Sequence, residues 1–354
     1  MEDESNLKRG QLRGYLFEVI IRLLLKKSKW NLVSKKENGR VRIHNDNEYK
    51  IEIKGRGTWH QIDNPCIFSG RIPFIFPLRL LGEAKFYKNG VSKDKIRAFI
   101  TVIKDISENY FIDNNAQNLP IRYTDIGVFF SAKGFQEEAT NLAFVHGIQT
   151  ISYKTNFEMN LIVDKIEQLE IKCLSCKNTI SSGRLVKFME DIEKVIDNYE
   201  HYINYFIQHY DDNRNSIYEN RGYLKELSDV VKSLQTSFFG ITSTGILLNF
   251  LSKEPFPEEL FREVDEQLCK IFYNEGLNMW LEFSEDEEKR RFYFDIPYGL
   301  EEIILKGGNV LDEKERHFEQ LTVSYFINNI LRSLILKIDK EWLERIKRAR
   351  KDNK

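Results

Sequence analysis

The 354-residue chain is poor in the features that would place it outside the cytoplasm. Its four cysteines, Cys66, Cys173, Cys176 and Cys269, are too few and too scattered for a disulfide framework. No apolar stretch approaches the roughly 18–20 residues of a membrane span. The opening Met1-Glu2-Asp3-Glu4-Ser5 is acidic, unlike a secretory signal. A cytoplasmic protein with no membrane partner is therefore expected. Proline is scarce as well, seven in all, yet Pro65, Pro73 and Pro77 fall together. No internal repeat and no low-complexity tract is visible.

What is present is an ordinary globular composition, 42% hydrophobic, 30% charged and 13% aromatic, long enough for two or three domains. The net charge of −1 hides an asymmetry. Residues 1–150 hold 24 Lys and Arg against 17 Asp and Glu, and the remainder holds 29 against 37. A basic first half beside an acidic second half favours a polyanion for the first, the alternative being a solvated charged surface.

Periodicity predicts a helix over 5–29, with Leu12, Leu16, Val19, Ile20, Leu23 and Leu24 on its apolar face and Glu18 inside the run. Glu18 either pairs with Arg22 one turn on or points a carboxylate at a site. Strands follow at Trp30–Val33, Val41–Ile43 and Tyr49–Ile53, then Gly55-Arg56-Gly57 and a short strand ending at Asp63. Residues 64–77, with their three prolines, are expected to form a stiff, irregular excursion. It leads to an apolar strand that closes in Gly82-Glu83-Ala84-Lys85. A helix over 92–106, a buried strand at Asp125–Ser131, a helix over 135–146 and a strand at 148–153 imply parallel crossovers. The second half reads as helices over 157–170, 184–210, 224–235 and 258–272, with a break at 211–215, short strands at 291–296 and 302–305, and a terminal amphipathic helix.

Side chains at i and i+2 of a strand share a face, so Glu83 and Lys85 lie together while Ala84 packs behind. With Asp63 from a neighbouring strand, two carboxylates and an ammonium surround one point. Phosphodiester hydrolysis needs an activated water, neutralised phosphoryl oxygens and help for the leaving oxygen, which divalent ions on carboxylates supply. Asp63, Glu83 and the backbone carbonyl of Ala84 are suitable oxygen donors for Mg²⁺ or Mn²⁺. Lys85 would orient or deprotonate the water, or neutralise developing charge.

These residues, in this order, resemble the PD-(D/E)xK nuclease superfamily, in particular its Mrr-like restriction endonuclease branch. The resemblance spans about residues 8–155. It rests on Gly14-Tyr15-Leu16-Phe17-Glu18, Gly55-Arg56-Gly57 with Gln61-Ile62-Asp63, Glu83-Ala84-Lys85-Phe86-Tyr87, and Asp125 to Phe135. It implies metal binding at Asp63 and Glu83, a catalytic Lys85, an auxiliary Glu18, and Gln61 reaching a phosphate or a metal-held water. No proline precedes the aspartate, a departure from the branch. The expected architecture is a restriction-endonuclease-like α/β domain over 1–155, a mixed sheet flanked by helices. A mostly helical α+β domain over 156–354 would serve oligomerisation or partner docking.

The resemblance implies Mg²⁺-dependent endonucleolytic cleavage of DNA in bacterial defence by a homo-oligomer, and it allows assembly with an ATPase such as a HerA-type translocase. The alternatives are a non-catalytic DNA-binding or scaffold subunit, and a nuclease for RNA or branched DNA. Arg56, Lys88, Lys93 and Lys95 flank the site and are candidate phosphate contacts. His60 either reaches the site or is a hydrogen-bonded structural histidine. Cys173 and Cys176 have the spacing of half a zinc site and are otherwise reduced thiols.

Overall fold

The structure, a computed structural model, describes all residues except 1–8, 34–39, 44–48, 71–73, 111–120, 170–181, 211–215, 262–263, 275–277, 296–315, 328–329 and 353–354. Cys173, Cys176, the break at 211–215 and the strand expected at 302–305 lie outside the described residues. No helix among the described residues is long and apolar enough to cross a membrane.

The first half is a mixed α/β layer. Helix α1 (Arg9–Lys27) leads to β1 (Trp30–Leu32), β2 (Val41–Ile43), β3 (Ile51–Lys54), β4 (Trp59–Gln61), β5 (Asn64–Phe68) and β6 (Leu78–Lys85). Then come α2 (Lys93–Ser107), β7 (Thr124–Ser131), α3 (Glu137–Val145) and β8 (Gln149–Ser152). A five-stranded sheet runs β1-β5-β6-β7-β8, antiparallel through β6 and parallel from β6 to β8. The expected crossovers are thus present, and β2, β3 and β4 form a separate small sheet.

The prolines required a correction. Residues 64–68 are not irregular but form β5, the partner of β6. Pro65 is tolerated because N–H and C=O of one strand residue leave by the same edge. Its carbonyl accepts from Val33 N–H at 3.0 Å, on the β1 side, so the missing donor does not interrupt the ladder with β6.

The sheet separates two cores by strand alternation. Cys66, Leu80, Ala84, Val128 and Phe130 face α1, whereas Leu81 and Phe129 face α2, α3 and the small sheet. Helix α1 is buried nearly all round, at Phe17, Ile21 and Leu25 as well as on its expected face. Its outer side is covered by α4 (Phe157–Gln168) and α5 (Ser182–Asp197), behind which α6 (Tyr199–Tyr210) and α7 (Ser216–Ser233) pack, and the apolar residues of all four join the same core. The helix expected over 184–210 is therefore two, divided at Asn198.

Beyond residue 235 the expectation of a mostly helical region fails. A closed seven-stranded barrel is built from β9 (Thr236–Thr242), β10 (Leu247–Ser252), β11 (Glu266–Tyr273), β12 (Met279–Phe283), β13 (Phe292–Phe294), β14 (Gln320–Ile327) and β15 (Ile330–Ile338). Its interior is packed with phenylalanines, among them Phe238, Phe250, Phe283, Phe292 and Phe294. Helix α8 (Lys340–Asp352) ends the described chain and is the terminal amphipathic helix expected. Residues 258–272, expected as a helix, are one 3₁₀ turn at Glu258–Phe261 followed by β11. Asn249 Nδ2 donates to the Tyr153 hydroxyl at 2.7 Å and Lys253 pairs with Glu158 at 3.0 Å, joining the barrel to β8 and α4.

Candidate active site

The register Asn64↔Gly82 places Asp63, the residue before β5, beside the end of β6. Its carboxylate accepts from the Ala84 N–H at 3.1 Å and from the Lys85 ammonium at 2.9 Å. The same ammonium is 2.6 Å from Glu83 Oε1, so Lys85 bridges the two carboxylates. Glu83 and Lys85 share one face of the strand and are partly exposed, while Ala84 is buried behind them. Asp63 itself does not end a strand, as the sequence suggested; β4 stops at Gln61 and belongs to the small sheet.

Glu18 approaches from α1, and its electrostatic environment is that of the trio. Burial first, then the charge of Asp63, raise its carboxyl well above the usual range; Lys85 opposes the shift and Glu83 adds to it. Arg22, its alternative partner, turns to Glu193 at 3.3 Å and lies over the Tyr49 ring. Glu83 is pushed up to about 7 by burial and then by Asp63, against the lowering pull of Lys85 and, more weakly, Lys95. Burial alone would depress the Lys85 ammonium, but Asp63 and Glu83 overcome it and hold it above its ordinary value. The Lys85 ammonium therefore bridges two carboxylates, while Glu18 feels the charges of all three groups and Lys95 acts as an outlying second cation.

Such crowding is what a divalent cation would relieve. Among the described residues no group of three or more His, Cys, Asp or Glu is arranged to hold a metal by itself. The hard oxygens that could hold one are Asp63, Glu83 and the Ala84 carbonyl, with the rest of its shell left to water. The Ala84 carbonyl suits this role because it leaves β6 by the same edge as the N–H bonded to Asp63. β5 begins only at Asn64, so the strand ladder does not consume that carbonyl.

The other expected residues divide. Gln61 is exposed, and no hydrogen bond or ion pair joins it to the trio. Arg56 pairs with Glu108 at 2.9 Å, beside a loop whose Gly57 N–H donates to Asp105. His60 is structural, its Nε2 2.7 Å from Asp105 Oδ2. That contact, together with backbone N–H donors from Gly57 and Thr58, keeps the Asp105 carboxyl below its usual range. Lys93 pairs with Glu138, Lys88 is exposed, and Lys95 lies near Glu83 with its ammonium 6.0 Å from the Tyr87 ring centroid.

Two residues escaped the sequence reading. Tyr15, whose hydroxyl pKa is raised by burial and then by Glu18 and Asp63, lies one turn before Glu18 on the same helix face. Its spacing was the available signal. Asn64, 1% exposed beside Asp63, leaves both amide atoms without a hydrogen-bond partner. Nothing in its sequence neighbourhood marks it.

No family model matches the chain, and no curated protein matches it. The crystal structure of a protein of unknown function, AF1548, superposes with a TM-score of 0.36 and 13% identity. That alignment covers 62% of this chain and 98% of the other, a likeness too slight to bear on function.

Proposed function

We propose that this chain is a metal-dependent endodeoxyribonuclease with a restriction-endonuclease-like catalytic layer. The observation that carries the reading is the Lys85 ammonium held between Asp63 and Glu83, 2.9 and 2.6 Å away, at the paired ends of β5 and β6. Asp63, Glu83 and the Ala84 carbonyl would hold Mg²⁺ or Mn²⁺. A bound divalent ion supplies Lewis-acid charge to the phosphoryl oxygen and lowers the pKa of water.

The protein's own groups do the rest. Lys85 is held protonated by its neighbours, so it acts as a donor. It orients the attacking water and neutralises charge that builds on the phosphoryl oxygens as the water oxygen bonds to phosphorus and the bond to the leaving oxygen breaks. Deprotonating the water is the role it is least suited to. Glu83 must lose its proton before it ligates a cation, which couples loading to pH. Glu18, whose carboxyl burial pushes toward the neutral form, opposes an entering polyanion less than a free carboxylate would. Lys88, Lys93 and Lys95 line the approach with cations that meet phosphates regardless of sequence.

The test is cleavage of plasmid, linear DNA and RNA with Mg²⁺ by wild type, Asp63→Ala and Lys85→Ala. DNA cleavage by wild type alone is expected. Equal cleavage by all three would remove the site assignment. RNA-only cleavage would change the substrate, and none by wild type, with candidate ATPase partners present, would leave a DNA-binding scaffold.

A further inference from the structure

Away from the carboxylates, the sheet and the barrel enclose a second cavity of about 460 Å³. Its floor is sheet surface on the α1 side, with Leu80 of β6, Val128 of β7 and Ile151 of β8. Its roof is the outer wall of the barrel, where Phe239 leaves β9 opposite the inward Phe238. The volume falls in the range of small-ligand sites, about 300–1,000 Å³, which favour boundaries between packed units. The walls are fixed before any ligand arrives. Ser28, just beyond α1, donates to the Ser237 carbonyl of β9 at 3.0 Å, and its hydroxyl lies 3.0 Å from the Ser237 hydroxyl.

Three features specify what fits. The lining is mainly aliphatic and aromatic, so its atoms lack dispersion partners that an apolar body would provide. The polar groups at its margin are neutral, including Gln149, Ser324 and Ser333. The charged residues that line it are Lys27 and Lys29, with no carboxylate among them. Lys27 is committed, donating to the Val231 carbonyl at 3.0 Å and to that of Leu234 beyond α7. Lys29 is exposed and forms no ion pair with a described residue. It also holds a backbone φ of 61°, a left-handed conformation that glycine adopts most readily. The chain thus carries a cation at the rim where backbone geometry alone would select none.

We propose that this cavity binds an amphipathic monoanion, its aliphatic or aromatic body between sheet and barrel and its carboxylate or sulfonate at Lys29. The site adjoins the end of α1 and the first half of β6, the elements that carry Glu18 and Glu83. It does not depend on what those residues catalyse.

The experiment is a titration of the full chain with 8-anilinonaphthalene-1-sulfonate, an aromatic monoanion, followed by energy transfer from tryptophan, since Trp30 lines the cavity. Competition uses dodecanoate and dodecyltrimethylammonium, which share a tail and differ in charge. Saturable binding of one molecule per chain is expected, displaced by dodecanoate and about tenfold less well by the cation. Lys29→Glu should weaken binding about fivefold with circular dichroism unchanged. Ser324→Trp, on the exposed face of β14, should block the space from the barrel side without touching the sheet core. The proposal is overturned by any of three results: no saturable binding to wild type, equal competition by the cation, or undiminished binding in both variants. Each readout is binding, so failure of the nuclease reading leaves it standing.

Discussion

Lys85 on the sheet and Arg290 on the barrel are both gripped by carboxylates, and the two grips have opposite electrostatic outcomes. Arg290 spreads its donors over both Asp286 oxygens and Glu259, at distances of 2.5 to 3.2 Å. Burial pushes Asp286 up, but the hydrogen bonds from Arg290 prevail, and Asp286 and Glu259 both rest below their ordinary values. At Lys85, one ammonium serves two carboxylates with a third acid near, and Glu83 and Glu18 rest above theirs. A planar guanidinium can satisfy a buried carboxylate by itself, whereas a point charge leaves this cluster short of positive charge. Carboxyls pushed toward their protonated forms at a partly open site would release protons to an incoming cation, which on the proposed reading separates this cluster from one that only holds the fold together.

That contrast is most sharply broken by exchanging the effects of the two cations. Lys85→Met should reduce DNA cleavage by at least about 10³-fold while leaving the melting temperature nearly unchanged. Arg290→Met should instead cost about 3 kcal/mol of stability in urea unfolding, because it strands Asp286, with cleavage per folded molecule preserved. Activity loss from Arg290→Met without unfolding would erase the distinction.

A smaller effect follows from Glu83. Its folded value of about 7 exceeds the ordinary 4.5, so between those values the folded state holds a proton that the unfolded state lacks. This contribution to stability is complete below pH 4.5 and is lost as pH rises through 7. Melting curves without metal should therefore decline over that window, and Glu83→Gln should flatten the decline. Millimolar Mg²⁺ should raise the melting temperature more at pH 8 than at pH 6, since the ion displaces the proton. A pH-independent Mg²⁺ effect would separate Glu83 from the metal. The smallest expected change is that of Gln61→Ala, an exposed residue unbonded to the trio, within about twofold of wild type in cleavage. A large loss there would mean that substrate binding recruits this residue.

The sheet was legible in the sequence because β6 and β7 are long apolar runs and because the Glu83–Lys85 pair has a period that only a strand places on one face. Asp63 was placed less well. Pro65 made β5 look irregular, since nothing in the sequence tells toward which edge a proline's missing donor points. The barrel was illegible for a related reason. In β11 the polar Gln267 is buried, bonded to the Leu260 carbonyl, and the apolar Leu268 is 45% exposed, which inverts the alternation expected of a strand. Pro257, Glu258 and Glu259 ahead of it supply the opening of a helix, and the chain takes only one turn of it. Glu18 could be singled out from sequence but not assigned, because the competing partner Arg22 sits at the same helical spacing and only tertiary packing sends it to Glu193.

The pairing of β5 with β6 also determines how such a site is written along a chain. Asn64 opposite Gly82 fixes where the two acids meet, whatever the length of chain that connects β5 to β6. Lengthening a loop costs little, growing with the logarithm of its length. The interval separating Asp63 from Glu83 is thus a tether length, free to drift without moving either carboxylate. The one-residue offset between Asp63 and β5, and the two-residue step from Glu83 to Lys85, cannot drift at all, because a single slip would turn each side chain to the opposite face.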